Sequence, residues 1–172
     1  DFIRENAEKE RPFFAVVWFG SPHWPFQALE EDRALYADQP ERKANFLGEI
    51  TAMDRALGRL RKELREMGLR ENTILWYCSD NGALKNVGSA GGFRGLKGDV
   101  YEGGLLVPSL LEWPARLEAP QTVSERMVTS DIFPTVLAFV IEQHKLVGPL
   151  YELNKNGDLS DHGEAGSKGR AF

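Results

Sequence analysis

The chain has 172 residues, 42% hydrophobic and 27% charged, with a net charge of −5 at neutral pH. That composition suits one soluble globular domain with a real core and argues against a nucleic-acid surface, since no long basic run stands out. No stretch approaches the roughly eighteen apolar residues of a membrane span, residues 1–5 lack the basic-then-apolar pattern of a signal peptide, and a single cysteine excludes an internal disulfide.

Residues 4–11 read as a charged helical turn or two, closed by Pro12. Residues 13–19 (Phe-Phe-Ala-Val-Val-Trp-Phe) form an unbroken apolar run, too short for a bilayer and apt for a buried strand. Its exit places His23 between Pro22 and Pro25, which stiffen the loop. A lone loop histidine is commonly inert, but a rigid one at a strand end suits ligand contact or proton transfer. Residues 40–67 then carry Phe46, Ile50, Met53, Leu57, Leu60, Leu64 and Met67 at alternating steps of four and three, one face of a helix, and Gly68 is placed to stop it. The stripe also fits a coiled coil, though flanking strands favour a helix facing a core. Strand, helix and the next strand make a βαβ crossover, whose handedness predicts parallel strands with both exits at one edge.

Residues 73–78 are the second predicted strand, too continuously apolar to be half-exposed, so the thiol of Cys78 is expected buried and inert. The strand ends in Ser79-Asp80-Asn81-Gly82, a polar tip at the position where open α/β sheets hold ligands. Asp80 and Asn81 offer two adjacent oxygen donors of the kind Ca²⁺ or Mg²⁺ takes. Taken alone, Asn81-Gly82 is equally a tight-turn signal. Residues 88–104 are too glycine-rich for regular structure, and their glycines follow no nucleotide-loop spacing. Arg94 and Lys97 within them are either anion contacts or solvated charges. Residues 105–114 read as a third strand with Pro108 near its start. Ser130 is expected to cap a short helix whose apolar face carries Ile132, Phe133, Val136, Leu137 and Val140. Residues 154–158 suit a hairpin turn better than a calcium loop, and residues 160–172 read as disordered.

Pro22-His23-Trp24-Pro25, Met53-Asp54 with Gly58, Ser79-Asp80-Asn81-Gly82, Gly95-Leu96-Lys97-Gly98 with Tyr101-Glu102-Gly103-Gly104 and Pro108, and Asp131-Ile132-Phe133-Pro134-Thr135 resemble, in this order and spacing, the type I sulfatases of the alkaline-phosphatase-like superfamily. The resemblance spans about residues 10–140. It implies an α/β fold, a partial alkaline-phosphatase-like sheet with flanking helices. It further implies that residues 1–140 are part of a catalytic domain and that residues 141–172 are a C-terminal remnant with a tail. By the same likeness, Asp80 and Asn81 ligate Ca²⁺, with Mg²⁺ second, Lys97 contacts the sulfate, and His23 contacts the sulfate or protonates the leaving oxygen. The implied partner is a sulfated small molecule or sulfated glycan, and the implied compartment is extracytoplasmic.

Parts of the family pattern are not in the chain. No Cys-x-Pro or Ser-x-Pro-x-Arg motif, the source of the formylglycine nucleophile, occurs among its residues, and no two aspartates are adjacent. Leu106 stands where family members tend to carry Arg. The chain therefore reads as an internal piece whose formylglycine is expected in a preceding part, and residues 144–153 resemble the family's far C-terminal strands. Three readings follow: a sulfatase portion, inactive by itself; a phosphatase, phosphodiesterase or phosphonate hydrolase of the same superfamily; or a non-catalytic module.

Overall fold

A computed structural model of the chain describes residues 1–118, 120–144, 152–153 and 159–160. The chain forms two compact units, Asp1–Gln121 and Thr122–Phe172.

The first unit is built along one long helix. After a short helix α1 (Phe2–Glu8) and a single turn α2 (Glu30–Arg33), helix α3 runs Glu41–Glu66 behind Pro40, within a residue of the expected bounds. Its apolar stripe is its protected face: Phe46 and Leu64 are buried and the other stripe residues are half-buried. Gly68 ends it at φ +71°. The Gly68 amide donates to the Arg65 carbonyl at 3.0 Å and the Leu69 amide to the Leu64 carbonyl at 2.9 Å, so a left-handed glycine satisfies carbonyls the helix would otherwise leave open.

The segment from Phe26 to α2 lies across the first half of α3. Gly48 permits the approach, since a Cβ there would stand 2.6 Å from the Ala28 Cβ. Glu49 accepts the Gln27 amide at 2.6 Å and Asn45 accepts the Ala28 amide at 3.2 Å. Asp32, 1% exposed, pairs with Arg55 at 2.6 Å. The small core beneath consists of Phe26, Phe46 and Val87 with Leu47, Ile50 and Leu84 against it; the Phe26 and Phe46 rings meet edge to face at 5.3 Å.

Strand β1 (Leu75–Cys78) pairs antiparallel with β2 (Ser109–Glu112), Leu75 opposite Glu112 and Cys78 opposite Ser109. The connection between them carries a single helical turn, α4 (Glu102–Leu105). Glu112 closes the ladder and is held by Arg61 of α3 at 2.6 Å and by Arg70 at 3.0 Å.

Several expectations are corrected here. Residues 13–19 form no strand: Phe14, Val16, Val17 and Trp18 are exposed, Trp18 at 91%. A strand exists only as part of a ladder, and among the described residues none runs beside this segment. The parallel crossover is therefore not formed, and the partner of β1 is the later strand, met antiparallel. A two-stranded sheet covers little surface, so β1 is half-buried and Cys78 is exposed rather than buried. The third strand is shorter than residues 105–114, because Glu102–Leu105 closes a helical turn and Pro108, lacking an N–H, sits just before the ladder.

In the second unit a 3₁₀ turn, Thr129–Asp131, leads into α5 (Ile132–His144). Asp131 and not Ser130 braces this entry: its carboxylate accepts the Val128 amide at 2.9 Å, and its carbonyl accepts the Thr135 hydroxyl at 2.6 Å. Short strands β3 (Glu152–Leu153) and β4 (Leu159–Ser160) pair antiparallel, which puts Ser160 in a ladder rather than a tail. His144 ends α5, so it belongs to a helix and not to a strand. The turn expected at 154–158, the tail at 161–172 and residues 145–151 lie outside the described residues.

Candidate functional site

Ser79 to Gly82 leave β1 and enter a backbone lock. The Gly82 amide donates to the Gly104 carbonyl at 2.9 Å, the Lys97 amide to the Ala83 carbonyl at 2.9 Å, and the Gly103 amide to the Arg94 carbonyl at 2.7 Å. Three passes of chain, the strand exit, the lysine loop and α4, therefore meet main chain to main chain. Only glycine allows this spacing: a Cβ on Gly82 would lie 2.0 Å from the Gly103 carbonyl oxygen, and one on Gly103 would lie 2.0 Å from that of Gly95. The sequence showed these glycines but not their purpose. The signal was their recurrence in two segments, 82 and 103–104, which reads as close approach rather than looseness.

The lock orients the polar groups. The Ser79 hydroxyl donates to the Asn81 carbonyl at 2.9 Å, closing a turn, with Asp80 exposed at its tip and Asn81 half-buried. Asp99 shapes the lysine loop by accepting the Leu96 amide at 2.9 Å. Arg94 is committed to the same loop, its guanidinium stacked 3.8 Å over the Tyr101 ring. Lys97 is exposed, and among the described residues its ammonium makes no hydrogen bond or ion pair, nor do the side chains of Asp80 and Asn81. Of the two loop cations, Lys97 is thus the one left available to a ligand. The structure brings Asp80, Asn81 and Lys97 into one neighbourhood.

His23 stands in an exposed loop in which both Ser21-Pro22 and Trp24-Pro25 are cis. Its Nδ1 lies 2.9 Å from the Trp24 carbonyl oxygen, which can only accept, so Nδ1 carries the proton and Nε2 is the free nitrogen. The loop is tied to the site through Phe26, three residues on, which packs with Val87 in the segment that follows Gly82. Glu49 and Asn45, which sequence reasoning missed, fix the chain just after it. Among the described residues the His23 ring makes no hydrogen bond to Asp80, Asn81 or Lys97.

Asp80 and Asn81 fit a hard cation as part of a shell. They are adjacent, oxygen-bearing and unpaired, but no group of three His, Cys, Asp or Glu side chains among the described residues could hold a metal, and Ca²⁺ takes about six to eight oxygens.

A family model described as Sulfatase matches residues 1–140. Among curated proteins the chain is similar to Arylsulfatase G of Mus musculus, 31% identical over 152 residues, covering 80% of this chain and 28% of that protein. It is also similar to Steryl-sulfatase of Rattus norvegicus, 33% identical over 145 residues, covering 79% of this chain and 24% of that protein. The chain thus spans about a quarter of the length of these relatives. Among solved structures it is similar to Ps i-CgsB in complex with k-i-k-neocarrahexaose, with a TM-score of 0.78 at 30% identity, covering 86% of this chain and 34% of that one. That likeness bears out the expected partial α/β architecture.

Proposed function

The chain belongs to the sulfatase family, and on that premise we propose that it supplies the metal- and anion-binding edge of a sulfuric ester hydrolase. The observation that carries this reading is the backbone lock, which fixes the Asp80–Asn81 turn against the Lys97 loop through the Gly82–Gly104 and Lys97–Ala83 hydrogen bonds. The substrate is a sulfated small molecule or a sulfated glycan. The names of the relatives support the first, and a structural neighbour bound to neocarrahexaose supports the second.

A sulfate ester carries its charge on peripheral oxygens, so hydrolysis needs fixed cationic donors around them and an acid for the departing alkoxide. Lys97, unpaired on a braced loop, neutralises those oxygens and strengthens its hold as charge builds in the transition state. His23, its Nδ1 proton committed to the Trp24 carbonyl, offers Nε2 to the leaving oxygen, as a donor when the ring is protonated. Asp80 and Asn81 would hold Ca²⁺, or Mg²⁺ less well; when bound, that ion acts as a Lewis acid on the sulfate oxygens. The attacking nucleophile is not among these residues, and the only thiol, Cys78, is exposed at the end of β1.

The test is hydrolysis of an aryl sulfate and the matching aryl phosphate by the protein expressed from the complete reading frame. The sulfate ester is the preferred substrate, and Lys97→Ala lowers its kcat/KM by roughly one to three orders of magnitude with the fold intact. Preference for the phosphate would move the assignment to phosphoryl transfer, and no turnover of either would favour a non-catalytic module.

A further inference from the structure

Beside Lys97 the chain forms an open concavity of about 530 Å³, lined chiefly by Lys85, Ser89, Phe93, Leu96, Lys97 and Asp99. At about 30 Å³ per water it has room for well over ten waters, far more than one sulfate group fills. Lys85 lies two residues beyond Ala83, whose carbonyl accepts the Lys97 amide at 2.9 Å, and the Gly88 amide returns to the Leu84 carbonyl at 2.9 Å. The two lysine stems thus leave from neighbouring main chain and face one space. Both are exposed, and among the described residues neither makes an ion pair or side-chain hydrogen bond. The carboxylate in the lining, Asp99, is turned to its own loop by the Leu96 amide at 2.9 Å. Phe93, 54% exposed, adds an apolar face to the same wall.

Two unpaired cations and an aromatic face around a space of this size suit a ligand with two anionic groups joined by an apolar-faced ring. Resting on the sulfatase reading above, we infer that Lys85, with Ser89 and Phe93, forms a subsite for a second anionic group of the substrate, which makes an oligoanionic sugar the substrate class. Lys97 takes the sulfate that is cleaved, Lys85 takes the neighbouring anion, and Phe93 covers the apolar face of the sugar between them.

The test uses the isotope-labelled chain and follows backbone amide shifts as a disulfated disaccharide or its monosulfated counterpart is added at low salt. The disulfated sugar binds about two- to fivefold more tightly, the range for one exposed ion pair. That preference shrinks at physiological salt, falls to about one in Lys85→Ala and inverts in Lys85→Glu. Lys97→Ala weakens both sugars alike. A preference that survives Lys85→Ala while Lys97→Ala still weakens both sugars overturns the subsite and leaves the sulfatase reading standing. Indifference of both sugars to Lys97→Ala overturns that reading and the subsite with it, and so does the absence of any binding by the wild-type chain.

Discussion

Gly82→Ala tests whether the glycine lock holds the site together. The added Cβ would stand 2.0 Å from the Gly103 carbonyl oxygen, 2.7 Å from the Gly104 Cα and 2.9 Å from the Gly103 carbonyl carbon, all rigid main chain. Relief requires the strand exit and α4 to part by at least about 1 Å, which breaks the Gly82–Gly104 hydrogen bond. Overpacking of this kind costs about 1–3 kcal/mol and a lost hydrogen bond about 1 kcal/mol, together about 2–4 kcal/mol. In a chain of this size that lowers Tm by roughly 4–16 °C. Thermal unfolding followed by circular dichroism measures it, and faster amide exchange at position 82 and at Gly103 locates it. Gly58→Ala is the control: it lies in α3 with nothing within 4 Å of its added Cβ, so helix propensity alone raises stability by about 0.5–1 kcal/mol. A Gly82→Ala chain as stable as wild type, with unchanged exchange at Gly103, would mean that the lock does not hold the strand exit against α4.

Arg55→Met strands the Asp32 carboxylate, 1% exposed, without its counter-charge and costs about 1–3 kcal/mol in urea unfolding; no change would mean that water reaches Asp32. The Arg61 hydrogen bond, with Arg70 adding to it, holds the Glu112 carboxyl below its ordinary value despite partial burial. A depressed folded pKa gives stability that is complete above the ordinary carboxylate pKa of about 4.3 and is lost as pH falls through the folded value, so Glu112→Gln should lower Tm at pH 7 and converge with wild type in acid. Calorimetry of the chain with Ca²⁺ should give a Kd of about 1 mM or weaker, since Asp80 and Asn81 supply only part of a shell; tight binding abolished by Asp80→Ala would show a complete site. The purified chain should hydrolyse no sulfate ester above background, and turnover lost in Cys78→Ser would overturn that expectation.

Helix α3 was legible in detail because its signals are local: a stripe at helical period, proline before it, glycine after it. The place of Asp80 and Asn81 at a strand exit was legible for the same reason, since a run of β-formers ends in turn residues. Residues 13–19 were not legible as exposed chain, because a strand is settled by its neighbour in space and not by its own side chains. The antiparallel pairing of β1 with β2 was not legible either, because it joins segments some thirty residues apart, and the lock between them rests on Gly82 and Gly103–Gly104, which are themselves about twenty residues apart in the sequence. Asp32 with Arg55, and Glu112 between Arg61 and Arg70, were not legible because charged residues on a helix or at a strand end read as solvated until a second element meets them.

Mn²⁺ broadening of backbone amides shows whether the Asp80–Asn81 turn and the Lys97 loop form one ligand-facing edge. Mn²⁺ takes the same oxygen donors as Mg²⁺ and Ca²⁺, and broadening registers even weak binding. Broadening should centre on Asp80 to Ala83, reach Lys97 and Gly104 through the lock and disappear in Asp80→Ala. Broadening centred instead on the acidic turn at Glu30–Arg33, with Asp80, Ala83 and Lys97 untouched, would contradict it.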